Sequence, residues 1–201
     1  MKITKFFEKQ GKKNASNSKA LKLIEKVWPD IEYKKNIRPT MFVNEIFETI
    51  VKRFEPGNAT RGSIFEYLLM CVFFREGITP FFCQGNLSFV PNVVFDFILF
   101  DMNKRPIIIS AKTSSRERYK QVELESLAAK HVHRNARCIY ITYDDDGTMI
   151  EKKIKSREIT GIDEVYTTQN KEFDQLIKEL SKKDYLDPGL VKIIKTGPQL
   201  G

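Results

Sequence analysis

The stretch Val93–Glu125 reads VVFDFILFDMNKRPIIISAKTSSRERYKQVELE, and its reading decides the fold. Two apolar, β-branched and aromatic runs, VVFDFILF and PIIISAK, flank the turn residues Met102-Asn103-Lys104. That is the signature of two neighbouring strands. Strand side chains alternate faces. Asp96 therefore lies on the face of Val94, Ile98 and Phe100, and Lys112 on the face of Ile108 and Ser110. If the runs pair as a hairpin, Asp96, Ser110 and Lys112 converge at one end of a sheet. A lone carboxylate on an apolar face is costly unless it is paired or binds a metal. The pair alone fits a structural salt bridge as well as a catalytic site.

Upstream of this stretch the apolar period is helical. Residues 18–29 (SKALKLIEKVWP) place Leu21, Ile24 and Val27 on one face, and Pro29 stops the helix. Residues 40–54 (TMFVNEIFETIVKRF) predict a second amphipathic helix with Thr40 as N-cap. After the break Glu55-Pro56-Gly57-Asn58, residues 61–77 (RGSIFEYLLMCVFFREG) are apolar almost all round, which predicts a buried helix with Gly77 at its C-cap. Residues 1–19 are Lys-rich and polar and read as a mobile basic arm or a poorly packed first turn.

From Ile78 onward the runs shorten and become β-rich: ITPFFC and NLSFV, with Gln84-Gly85-Asn86 read as a turn, precede the central pair. A helix is expected from about Ser115 to His133, then the strand ARCIYITYD. Asp145-Asp146-Gly147 reads as a hairpin turn with TMIEKKI pairing back, and GIDEVYT as a short buried strand. KEFDQLIKELSK (171–182) is an amphipathic helix. The expected fold is α/β: a mixed central β-sheet flanked by helices, with a helical N-terminal part. We expect a single domain, with a helical part over 20–60 and a sheet-bearing part over 61–201.

Composition narrows the function classes. The 201 residues carry a net charge of +8, which suits a polyanion-binding protein. No run of about 18 uncharged apolar residues exists, so no membrane span is expected. The N-terminus lacks an apolar signal-peptide core. Three scattered cysteines, Cys71, Cys83 and Cys138, without a CxxC pair, read as reduced thiols of a cytoplasmic protein. His131 and His133 lack a zinc-ligand pattern, and Asp144-Asp145-Asp146 reads as a strand-end turn rather than a cation site.

Two further carboxylates join the central pair. At about 100° per residue, Glu125 falls among Val122, Ala128, Ala129 and Val132, facing the sheet, whereas Glu123 points elsewhere, near Tyr119 and Leu127. Glu66 is the one acid inside SIFEYLLMCVFF, where it needs a partner that the Asp96 strand can supply.

Asp96, then Ser110-Ala111-Lys112, then Glu125 after twelve intervening residues, resembles the PD-(D/E)xK nuclease superfamily. The likeness is to the type II restriction endonucleases in which SxK replaces (D/E)xK and the following helix supplies the missing acid. It covers about Glu66 to Glu125, and it departs from the pattern where Phe95 stands in place of proline. The resemblance implies a restriction-endonuclease-like fold and a homodimer, with 20–60 serving DNA binding or dimerisation and 61–201 the catalytic core. It implies Mg²⁺-dependent cleavage of double-stranded DNA at a short palindrome containing G·C pairs, in a prokaryotic cytoplasm beside a cognate DNA methyltransferase.

On that reading Asp96, Glu125 and the backbone carbonyl near Ala111 bind Mg²⁺, with Glu66 assisting. Lys112 orients the attacking water or stabilises phosphate charge. Ser110 is structural, since no His or Asp is spaced to activate it. Related enzymes carry a similar basic-acidic-basic triplet after the catalytic lysine. Arg116-Glu117-Arg118 suits reading G·C pairs, because Arg bonds G O6 and N7 and Glu accepts from C N4. Thr113, Ser114, Ser115, Lys120 and Gln121 would meet the DNA backbone. A repair or junction-cleaving nuclease of the same fold, or a non-catalytic basic DNA-binding module, are the alternatives.

Overall fold

A computed structural model describes residues 1–30, 36–116, 118–144, 147–186 and 199–200. Its centre is a mixed sheet in the order β5-β4-β3-β2-β1-β6. The strands are β1 (Phe81–Gly85), β2 (Phe95–Phe100), β3 (Pro106–Lys112), β4 (Arg137–Thr142), β5 (Glu164–Thr167) and the two-residue β6 (Gln199–Leu200). The pairs β1/β2, β2/β3 and β1/β6 are antiparallel, while β3/β4 and β4/β5 are parallel. Parallel neighbours need a crossover. Helices α5 (Arg118–Val132) and α6 (Gly147–Lys155) supply the two crossovers.

Alternation sorts the core into two layers. Phe97, Leu99, Ile107, Ile109, Ile139 and Ile141 face the main core, with α1 (Ile3–Lys9), α2 (Lys19–Val27), α3 (Pro39–Phe54), α4 (Asn58–Arg75) and α7 (Lys171–Leu180). Ile98, Phe100, Ile108 and Cys138 face the other way, onto Ala129 of α5 and the buried Leu87 and Val90. Helix α4 buries nine side chains, from Ile64 to Phe73, and packs against α2, α3 and β3. Each large apolar side chain so buried contributes about 1.5–3 kcal/mol. The helix ends where expected, with Gly77 taking a φ of 71° just beyond it. Arg137 ties β4 to β5 and α7 through paired bonds to Glu164 (2.6 and 2.8 Å) and Glu179 (2.7 and 3.0 Å). Among the described residues no helix is long and apolar enough to cross a membrane.

The expected α/β architecture is present, and several local expectations are corrected. Residues 1–17 are not a loose arm: α1 buries Ile3 and Phe7 completely, and Phe7 packs edge-on against Tyr67 and Phe74. A 3-10 turn, Ala15–Asn17, follows it. Apolar residues four apart outweighed the lysines around them. A boundary at residue 60 would cut α4, and α2 and α3 share the main core with the sheet. Thr40 is not an N-cap; Pro39 opens α3 after Arg38, and the Thr40 amide donates to Asp174 (2.8 Å). NLSFV forms no strand, for Leu87 and Val90 turn inward while Phe89, at φ 63°, stands out in solvent. TMIEKKI is helix α6 rather than a return strand, because Ile150 and Ile154 lie one helical turn apart among strong helix formers. Asp145 and Asp146 lie outside the described residues. GIDEVYT does carry a strand, β5, but at the sheet edge and only half-buried.

Candidate active site

The β2/β3 register pairs Phe97 with Ile109 and Ile98 with Ile108, which places Asp96 opposite Ser110 one step further along. Asp96 is 6% exposed, so its charge needs partners. Its Oδ2 accepts from the Lys112 ammonium (2.8 Å) and from the Ala111 backbone N–H (2.8 Å). Its Oδ1 accepts from the Gln84 side-chain amide (3.2 Å). Ser110 is buried beside Tyr140 of β4, away from solvent.

Glu66 reaches the same place from α4. Its Oε2 accepts from the same Gln84 nitrogen at 2.9 Å, so one amide spans both carboxylates. Burial, and then the nearby Asp96 charge, push the Glu66 carboxyl up to about 7 against the pull of Lys112. Lys12, from the segment between α1 and α2, approaches from the far side, with Nζ 3.9 Å from the buried Cys83 thiol and 5.8 Å from the Tyr67 ring centre.

Helix α5 brings the third acid. Glu125 is half-buried, and burial raises its carboxyl while a bond from Gln121 (2.7 Å) and the Lys112 charge oppose the rise. It therefore lies within electrostatic reach of Lys112 and Asp96, although it touches neither. Glu123 is committed elsewhere: its carboxylate accepts from the backbone N–H groups of Thr160, Gly161 and Ile162 at 2.8–3.0 Å.

Among the described residues no three His, Cys, Asp or Glu side chains stand close enough to hold a metal ion by themselves. Mg²⁺ asks for less, since it binds through one or two carboxylates and keeps several waters. Glu66 and Asp96, joined through Gln84, make such a pair of hard oxygen donors, and the Ala111 peptide adjoins Asp96.

The charged cluster opens into a cleft of about 650 Å³ whose walls include Asn58, Gly62, Glu66, Lys112, Arg116 and Arg118. Thr113 and Ser114 also line it, and they join it to a second hollow floored by Phe47, Val51 and Tyr143. Larger by volume is a cleft of about 730 Å³ between α6, β5 and α7, remote from this chemistry. Arg116 and Arg118 are exposed, and Glu117 lies outside the described residues.

Ser115 corrects the expectation of a DNA-backbone contact. It is fully buried, its N–H donates to Asp144 Oδ2 (2.6 Å) and its hydroxyl to Asp144 Oδ1 (2.8 Å), with Thr142 Oγ1 2.9 Å away. A side chain without solvent access cannot meet a ligand; Ser115 instead pins the segment between Lys112 and α5. Gln121 is engaged by Glu125, and Lys120 lines a separate hollow with Tyr119 and Lys153. His133 Nε2 lies 3.0 Å from the Ser88 carbonyl.

Sequence reading missed Gln84 and Asp144. Gln84 stood inside a Gln-Gly-Asn string that reads as a turn, yet it is the penultimate residue of β1, with a φ of 52°. The usable signal was a long polar side chain closing the apolar run FFCQG. Asp144 was masked by its place in an aspartate triplet.

No family model, curated protein or solved structure matches this chain.

Proposed function

We propose that the protein is a type II restriction endonuclease: a homodimeric, Mg²⁺-dependent enzyme that hydrolyses double-stranded DNA at a short palindrome containing G·C pairs. One observation carries the reading. An Asp–Lys pair and two half-buried glutamates, Glu66 on α4 and Glu125 on α5, gather beside a cleft that Glu66, Lys112, Arg116 and Arg118 line. Its spacing along the chain is the one that resembles the SxK branch of the PD-(D/E)xK nucleases. The net charge of +8 supports a polyanionic substrate.

Asp96 and Glu66 would hold Mg²⁺, with Glu125 and the Ala111 carbonyl completing the oxygen set. Bound Mg²⁺ supplies charge neutralisation at the scissile phosphate and a more acidic water. Lys112, 2.8 Å from Asp96, stands where its ammonium can orient that water or meet phosphate charge. Arg116, Glu117 and Arg118 read base edges, while Thr113 and Ser114 serve the phosphate backbone. Such an enzyme works in a prokaryotic cytoplasm beside a methyltransferase that protects the host's own sites.

The Asp96–Lys112 contact also favours a second reading, a non-catalytic DNA-binding module in which the pair is purely structural. Plasmid digestion followed by sequencing of the ends separates the readings. Discrete ends at one palindrome, formed only with Mg²⁺, are expected. Nicking confined to branched or damaged DNA would indicate a repair nuclease of the same fold, and intact DNA would indicate the module.

A further inference from the structure

The two oxygens of Asp96 face different partners. Oδ2 is taken up by Lys112 and the Ala111 amide, whereas Oδ1 turns towards Glu66. On that second side a neutral group bridges the carboxylates: Gln84 Nε2, 2.9 Å from Glu66 Oε2 and 3.2 Å from Asp96 Oδ1. An amide nitrogen carries two hydrogens, so it can donate to both oxygens at once. A buried and a half-buried carboxylate this close repel, and each is costly to keep without a donor. A lysine or arginine at position 84 would hold them together too, but it would cancel the negative charge that draws a divalent cation. An amide holds them together and leaves that charge intact. The backbone is bent to allow this, since Gln84, the penultimate residue of β1, sits at φ 52°, a conformation disfavoured for a residue with a side chain.

We propose that Gln84 is a positioning residue of the cation site, whose amide keeps Glu66 Oε2 and Asp96 Oδ1 turned towards each other and so preorganises the pair for Mg²⁺. The inference rests on the metal-dependent reading of this cluster. Groups that orient metal ligands by hydrogen bonding to them typically change affinity by about 10–100-fold when removed.

The test is Mn²⁺ binding to the full-length protein without DNA, followed by the loss of the free-ion electron paramagnetic resonance signal. Wild type and Gln84→Met, which keeps the length of the side chain but has no donor, are compared. The expected result is about tenfold or greater weakening in Gln84→Met, with DNA cutting restored by excess Mn²⁺. A merely structural role would lower the maximal rate in a way that excess cation does not restore, and that result overturns the proposal. Equal or tighter Mn²⁺ binding by Gln84→Met overturns it as well while leaving the metal reading intact. No Mn²⁺ binding by wild type overturns both. A measurement that needs no variant guards against misfolding. In ¹⁵N-labelled wild type, Mn²⁺ should broaden the Gln84 side-chain amide resonances at low stoichiometry, and unperturbed resonances at saturating cation would contradict the assignment.

Discussion

Asp96 Oδ2 lies 2.8 Å from the Lys112 ammonium, and the two side chains differ in access to water: 9% exposed for Asp96 against 17% for Lys112. The pair is therefore asymmetric in what its loss costs. Removing Lys112 leaves a buried carboxylate short of a partner, whereas removing the Asp96 charge leaves a lysine whose long stem can carry its head to solvent. Lys112→Ala should destabilise by about 2–3 kcal/mol and Asp96→Asn by about 1 kcal/mol less, on the scale of hydrogen bonds to charged groups. Urea unfolding of both variants checks this, and equal or reversed costs would count against the buried-carboxylate account.

Glu66 makes stability depend on pH in a direction opposite to an ordinary paired carboxylate. Its carboxyl moves from the usual 4.5 up to about 7 in the folded protein. Between those values the folded chain holds a proton that the unfolded chain has released, so stability falls as pH rises through the window and levels off above it. The loss attributable to this group is at most about 3 kcal/mol. Glu66→Gln, which carries no charge to bury, should lose less stability than wild type between pH 5 and pH 8. Parallel stability curves for the two proteins would show that Glu66 is not held in this way.

The two glutamates of α5 should separate cleanly. Glu123 anchors three consecutive backbone N–H groups, and Gly161 comes so close that a Cβ there would sit 2.6 Å from the Glu123 carbonyl oxygen and 2.9 Å from its carboxylate. Glu123→Ala and Gly161→Ala should each lower stability by about 1–3 kcal/mol and leave cleavage by the folded protein near wild type. Glu125→Ala should do the reverse: stability within about 0.5 kcal/mol, activity lost. Thermal melts set beside digests decide it, and a fully active Glu125→Ala would remove that residue from the site.

Asp144 tests how the arginine-bearing segment is positioned. It accepts from the Ser115 amide and hydroxyl and from Thr142 Oγ1 (2.8 Å), and so fixes the chain between Lys112 and Arg118. Asp144→Ala should cost about 1–3 kcal/mol and blur discrimination between cognate and scrambled duplexes, since the arginines would no longer be held in register. Arg118→Ala should keep stability and reduce discrimination against a wrong base pair by about 1–3 kcal/mol. Fluorescence anisotropy with cognate and altered duplexes measures both losses of discrimination.

Much of this arrangement was legible in the chain because it rests on short-range periodicity. Alternation in VVFDFILF and PIIISAK placed Asp96 and Lys112 on one face. The N-terminal helix was misread because lysines dominate the composition of a segment whose fate is set by Phe7 finding Tyr67 and Phe74 far along the chain. TMIEKKI was misread because an aspartate-glycine turn suggests a hairpin, while the parallel β4/β5 pairing that demands a helical crossover is a long-range fact. Gln84 and Asp144 share that difficulty. Each acts on partners in other elements, Glu66 and Asp96 for one and Ser115 for the other, and no local spacing announces such a contact.

The most direct test is a side-by-side digest of plasmid DNA by purified wild type and Lys112→Ala, with Mg²⁺ and with EDTA, under conditions where both proteins are shown to be folded and to bind DNA. The account predicts discrete fragments from wild type with Mg²⁺ alone and uncut plasmid in the other three reactions. Uncut DNA in all four, or equal cutting by Lys112→Ala, would contradict it.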